Sequence, residues 1–220
     1  RASANDFKKV SGSPIAYWVS DSVRDAFLVS SPLGEISEPR KGMCTRDNDF
    51  FVRFWHEVAQ SDIFLNAKNR EDATQSGCRW FPYQKGGNFR LWYGNHSCVV
   101  DWENDGYKLL NMEKLGWLGN STNHNLDYIF KPALVWSKIT SSIPHFRISE
   151  AGFLYDDASG VCAFSDTIKL KTALSLLCSK VGRFFLSLIN PTLNIQPGTM
   201  SAVPIKEQVQ ASSVDLLIEF

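Results

Sequence analysis

Leu170, Leu174, Leu177, Val181, Phe184 and Leu188 recur at steps of three and four residues, the longest apolar stripe of helical period in the 220-residue chain. That spacing lays one continuous face along a helix of about five turns, and such a face needs a second layer to bury it. Ser165-Asp166-Thr167 supplies a cap at its start, and Asn190-Pro191 a stop at its end. Upstream, the chain is mostly short β-rich runs separated by Gly, Asn and Asp, so the expected second layer is a sheet. The fold class read from this is α+β: a mixed, largely antiparallel sheet with a long C-terminal helix packed on it. Gly182 in mid-helix is about 1 kcal/mol less favourable than Ala, which predicts a close packing contact there.

With 44% hydrophobic and 21% charged residues, the chain can bury one sizeable core or two small ones, and disorder is not expected. Its formal net charge is zero, which argues against a free-standing protein that finds nucleic acid by bulk electrostatics. Cys44, Cys78, Cys98, Cys162 and Cys178 are odd in number and widely spaced, with no paired Cys/His ligand spacing. Neither a metal site nor a disulfide framework is expected. The most apolar segment, Ile168 to Ile189, is interrupted by Lys169, Lys171, Lys180 and Arg183, which argues against a membrane span. No signal peptide opens the sequence, and the expected compartment is a reducing cytoplasm. The chain begins with Arg1 rather than Met and reads as an excised part of something longer. Residues 1–13 read as the end of a linker, 14–205 as one domain, and 206–220 as a tail that ends at Leu216-Leu217-Ile218-Glu219-Phe220 as if truncated.

In order along the domain, Ser13 to Ser20 reads as a short β-rich run, followed by a brief helix carrying Val23, Ala26 and Phe27. Pro39 to Phe51 reads as a turn between two strands, with Arg40, Lys41 and Arg46 supplying charge. Phe50 to Val58 reads as a strand buried on much of both faces, and Ser61 to Ser76 as a loop. Ala133 to Ile139, His145 to Ile148, Phe153 to Asp156 and Gly160 to Phe164 read as the later strands, with Lys138 and Arg147 as candidate phosphate contacts. Asp101 and Glu103 lie two apart, on one face if the strand continues; paired carboxylates raise a carbohydrate-active alternative, but their closeness fits ion pairs to neighbouring cations better.

The chemistry concentrates in Arg79–Asn95, where six aromatic residues and three cations fall in one window. No carboxylate occurs between Asp72 and Asp101, so the positive sign is local. Gly86-Gly87, flanked by Lys85 and Arg90, suits close approach of another backbone such as a phosphodiester, with flat rings nearby for sugar or base. The structural alternative is a hairpin with a Gly-Gly turn whose aromatics enter a core. Val99-Val100-Asp101-Trp102-Glu103-Asn104-Asp105-Gly106 follows, ending in a turn.

The combined string from Trp80 to Gly106 resembles the BREX-type (phage-exclusion) adenine-specific DNA methyltransferases, in the region downstream of their catalytic domain. The likeness runs from about Phe7 to Ile205. It takes in Ser13-Pro14-Ile15-Ala16-Tyr17-Trp18, Trp136-Ser137-Lys138-Ile139 and Asn190-Pro191-Thr192-Leu193-Asn194. Gly42 to Phe51 resembles a specificity-domain turn motif, with Arg46 where that motif has a glycine. The resemblance implies a DNA target-recognition module that binds double-stranded DNA without methylating it. An upstream methyltransferase domain of the same parent chain would use S-adenosylmethionine, which this segment itself would not bind. Tyr17 and Trp18 are then interdomain or core residues. No catalytic Asn-Pro-Pro-Tyr-type tetrapeptide is present, since Thr192 and Leu193 stand in its third and fourth places. The DNA-contact candidates are Lys85, Arg90 and Asn95, then Thr45, Asn48 and Lys138, with Asn88 and Tyr93 after them. The competing reading is a protein-interaction module docking a catalytic domain or another phage-defence protein through Trp80, Tyr83 and Trp92.

Overall fold

Two four-stranded sheets and a two-stranded ribbon carry the fold in the computed structural model, which describes residues 7–123, 125–141 and 143–206. The first six residues of the linker reading and the tail beyond Lys206, Leu216 to Phe220 included, lie outside the described residues. The first sheet runs β2 (Arg40–Lys41), β9 (Ser159–Ala163), β6 (Ala133–Ser137) and β7 (Phe146–Ser149), antiparallel throughout. The second runs β3 (Val52–Phe54), β5 (Cys98–Asp101), β4 (Trp80–Gln84) and β8 (Leu154–Tyr155), with β4 and β8 parallel. The ribbon pairs β1 (Ser31–Pro32) with β10 (Pro204–Ile205). The mixed, largely antiparallel class holds, with its strands divided between two sheets. The division falls at the Asp156–Ala158 turn, where the chain leaves β8 and enters β9.

The C-terminal stripe folds as two helices, α6 (Thr167–Cys178) and α7 (Lys180–Ile189), bent by 76° at Ser179. The Ser179 hydroxyl donates to the Leu176 carbonyl at 2.6 Å and accepts the Gly182 N–H at 3.1 Å, ending one helix and capping the next. Gly182 is therefore in the first turn of α7, not in mid-helix. A Cβ there would overlap the Leu176 carbonyl, which is the close contact its placement predicted. Leu170, Leu174, Leu177, Leu186 and α8 (Pro197–Ser201) bury Leu134, Trp136 and Phe146 of the first sheet, while the bend leaves Val181 and Phe184 exposed. No single helix among the described residues is long and apolar enough to cross a membrane.

A second core lies on the other sheet, where Phe81, Tyr83, Val100 and Leu154 meet Phe51, Trp102 and Phe130. Every residue of β4 is buried, which explains its unbroken apolar run. β8 pairs with β4 only at Tyr83 and Gln84, past Pro82, whose absent N–H would break a longer ladder. A third, smaller cluster of Ala133, Val135, Phe153, Tyr155 and Val161 fills the space on the opposite face of the first sheet.

Several local expectations change. Ser13 to Ser20 forms turns rather than a strand, and leads into α1 (Asp21–Val29). The short α2 (Leu33–Ile36) follows β1. After β2 the chain enters α3 (Asn48–Phe51), because the Asp47 carboxylate accepts the Phe50 N–H at 3.0 Å and starts a helix where a second strand was expected. β3 is only three residues long and gives way to a 3-10 turn, so Phe54 and Trp55 end up exposed rather than buried. The expected loop from Ser61 to Ser76 contains α4 (Arg70–Gln75), capped by Asn69. Trp102 ends the β5 ladder, and Asn104, Asp105 and Gly106 then all take positive φ within α5 (Glu103–Leu110). Asp101 and Glu103 thus do not share a strand face.

Candidate nucleic-acid interface

Lys85 to Ser97 is a long crossing loop rather than a tight Gly-Gly hairpin. It leaves the second sheet at Gln84, lies along the outer strand of the first, and returns at Cys98. Trp92 donates to the Phe146 carbonyl at 3.2 Å and accepts the Ile148 N–H at 2.8 Å, which ties the loop to β7. Ser137 docks its start, with Oγ 3.3 Å from both the N and the O of Gly87 and 3.0 Å from Nε2 of His145. Neither Gly86 nor Gly87 has a positive φ. Their value is room: a Cβ on Gly86 would stand 2.9 Å from the Ala158 carbonyl oxygen.

This docking brings separate parts of the sequence around one cleft of about 480 Å³. It is lined by Thr45, Arg46 and Asn48 on one side and by Gly86, Gly87, Lys138 and the Asp156–Ala158 turn on the other. A second cleft of about 760 Å³, lined by Arg40, Lys41 and Asn125 among others, shares Cys44 and Asp157 with it. A third of about 340 Å³ shares Asn48 and adds Lys85 and Arg53. Through these shared residues the three clefts adjoin as one groove, bordered by Arg40, Lys41, Arg46, Lys138, Arg53 and Lys85 and, among acids, by Asp49, Glu57, Asp156 and Asp157. Among the described residues no ion pair engages Lys41, Arg46 or Lys85. Lys138 donates to Asp157 at 3.0 Å and Arg40 pairs with Glu38 at 2.5 Å. Tyr128 and Glu38 raise the pKa of Arg40.

Of the expected contacts, Thr45, Asn48, Lys138 and Lys85 meet on this groove. The Thr45 hydroxyl is buried and donates to Asn48 Oδ1 at 2.6 Å, which orients the Asn48 amide. Arg46 holds φ 66, the conformation for which the glycine of the related motif is suited. Arg90, Asn88, Asn95 and Tyr93 ride on the crossing loop and do not line the groove. Asn95 Nδ2 donates to the Asn88 carbonyl at 3.0 Å and closes that loop on itself. Tyr93 lines a separate aromatic pocket next to the groove.

Arg147 is a correction: it is 0% exposed in β7, so it cannot meet a phosphate at the surface. Burial pushes its pKa down to about 10. Its charge, added to burial, lowers His145 and brings His96 down to about 4. Trp80 and Tyr83 are buried as well, which removes two of the three anchors of the docking alternative. Tyr17 and Trp18 are exposed and not core. Asp101 is buried between Arg79 at 2.8 Å and Lys108 at 3.4 Å, and Lys108 also holds Glu103 below the usual carboxylate range. Both acids are engaged in ion pairs, as their closeness suggested.

Arg53 was missed because Phe50 to Val58 reads as a strand buried on much of both faces. The alternation Val52, Arg53, Phe54 at an edge strand was the available signal.

No protein-family model matches the chain. It is 37% identical over 220 residues to the adenine-specific methyltransferase PglX of Lacticaseibacillus casei (strain Zhang), covering 98% of this chain and 18% of that protein. It is 34% identical over 205 residues to the adenine-specific methyltransferase BrxX of Escherichia coli O9:H4 (strain HS), covering 91% of this chain and 16% of that one. By sequence the chain is related to the BREX-type adenine-specific methyltransferases. The resemblance drawn from Trp80 to Gly106 is thereby borne out along nearly the whole chain, which spans under a fifth of the length of these curated relatives.

No glycine-rich strand-turn-helix occurs among the described elements. Asn190, the one residue with a catalytic-looking Asn-Pro context, caps α7 and donates to the Thr192 carbonyl at 2.8 Å.

Proposed function

We propose that this chain is the DNA target-recognition module of a BREX-type adenine-specific methyltransferase. It binds duplex DNA along the Arg40–Lys85 groove, and another part of the parent protein transfers the methyl group from S-adenosylmethionine. The observation that carries this reading is the continuity of the groove. Three separate stretches, 40–48, 85–87 and 138, converge on it with three cations free of ion pairs among the described residues. Such cations meet phosphates and position the duplex. Asn48, exposed and oriented by Thr45, is the side chain best placed to read a base edge, with Lys138 behind it. Exposed Ile15, Tyr17, Trp18, Leu28 and Val29 support a contact of this module with the upstream domain.

Cys44 is exposed and lines two of the three clefts, so the native thiol serves as the probe of the reading. Duplex DNA carrying a tethered disulfide on one phosphate should cross-link to Cys44, and to Cys98 on the Lys85 cleft, well ahead of Cys78. The Cys44 adduct should disappear in Cys44→Ser, and all adducts should disappear in the presence of excess untethered duplex. Equal labelling of Cys44 and Cys78, or no adduct at all, would overturn the groove as the DNA site.

A further inference from the structure

A pocket of about 490 Å³ lies beside the groove, walled by Trp55, Pro82, Tyr93, His96 and Phe153. It is in the size range of small-ligand sites. It adjoins the Lys85 cleft directly: Cys98 lines both, and the consecutive residues Phe54 and Trp55 line one each. Its aromatic wall is built, since Tyr93 meets His96 edge-on at 4.3 Å and His96 meets Phe153 at 4.7 Å. Trp92 at φ 72 and Asn95 at φ 63 flank these rings, and the Trp92 bonds to β7 hold that backbone.

The lining contains no Lys or Arg, so its chemistry does not suit a phosphate. Gln60, Asn66 and Glu150 offer amide and carboxylate groups at the wall. Nε2 of His96 is buried and has no hydrogen-bond partner among the described residues. Burial, reinforced by Arg147, keeps that imidazole neutral near pH 7. Flat rings, a neutral imidazole and a few amide-type groups match an uncharged heteroaromatic ring with hydrogen-bonding edges.

We propose that this pocket takes an unpaired nucleobase of a DNA strand whose phosphates lie in the adjoining groove. The second half of that statement rests on the DNA-binding reading above; the base-sized aromatic site does not. Tyr93 and Trp55 supply stacking surface, and His96 with Asn66 or Gln60 meets the base edge.

The test compares binding of three probes to the intact chain: a fully paired duplex, the same duplex with one extrahelical adenine, and free adenosine followed by saturation-transfer NMR. The bulged duplex should bind about tenfold tighter than the paired one. Tyr93→Ala and the pocket-filling Ala151→Trp should each erase that preference and the adenosine signal while leaving paired-duplex affinity unchanged. Both positions are exposed, and a thermal melt of each variant checks that the fold is kept. Paired-duplex binding with no bulge preference and no adenosine transfer would overturn the pocket alone. Adenosine transfer that is lost in Tyr93→Ala, with neither duplex bound, would support the pocket and overturn the groove. Absence of all three signals would overturn both.

Discussion

Replacing Arg147 with Met should stabilise the chain. The guanidinium is fully buried in β7, and none of its three nitrogens has a hydrogen-bond partner among the described residues. Burial lowers its pKa from 12.5 to about 10. At about 1.36 kcal/mol per pKa unit, that fall corresponds to roughly 3 kcal/mol of disfavoured charge. Met keeps most of the aliphatic packing against Val135 and removes the charge, and buried ionic groups replaced by apolar ones of similar volume give gains of about 1–4 kcal/mol. The expected gain is about 1–3 kcal/mol, read as a higher urea midpoint with unchanged slope by tryptophan fluorescence. A second readout is independent of stability: His96 and His145 lose a neighbouring positive charge, so both imidazoles should titrate at higher pH by NMR. Destabilisation by more than about 1 kcal/mol would refute the reasoning, because it would mean the guanidinium contributes more through bonds than burial takes away.

His96 also gives the fold a pH dependence. Its folded pKa of about 4 lies below the ordinary 6.5, so the unfolded chain binds more protons between those values. Stability should be complete above pH 6.5 and decline as pH falls toward 4, by about 1–2 kcal/mol after allowing for solvent at a half-buried ring, and His96→Gln should flatten that limb in urea titrations. Gly182→Ala should destabilise by about 1–3 kcal/mol in the same assay despite Ala's better helix propensity, because its Cβ would overlap the Leu176 carbonyl across the α6–α7 bend. Ser137→Ala should lower stability by about 1–2 kcal/mol and weaken duplex binding, since Gly87 and His145 both lose their bonds to its hydroxyl.

The fold class was legible because the stripe from Leu170 to Leu188 and the fully buried runs Trp80–Gln84 and Ala133–Ser137 are dominated by local pattern. The bend at Ser179 was not, since six apolar positions keep helical spacing across a residue that caps one helix while ending another. Burial of Arg147 was equally hidden: alternation in Phe146–Ser149 places a cation on the face opposite Phe146, and only the neighbouring sheet makes that face interior. The functional residues were found in part. Thr45, Asn48, Lys85 and Lys138 converge through the Ser137–Gly87 dock, a contact fifty residues apart that no local pattern announces. Arg90 and Asn95 drew attention through a cationic, aromatic composition that the structure uses mainly to build the crossing loop.

The most direct test of the groove is the salt dependence of duplex affinity, measured by fluorescence anisotropy between about 50 and 200 mM salt. Lys41→Ala/Arg46→Ala/Lys85→Ala should reduce the slope of log K against log salt by about 2.7, at ~0.9 for each phosphate contact. The control Lys131→Ala/Lys169→Ala/Lys180→Ala removes the same charge from exposed positions elsewhere and should leave the slope unchanged. A slope that falls equally in both variants, or that is flat in the unmodified chain, would contradict the account.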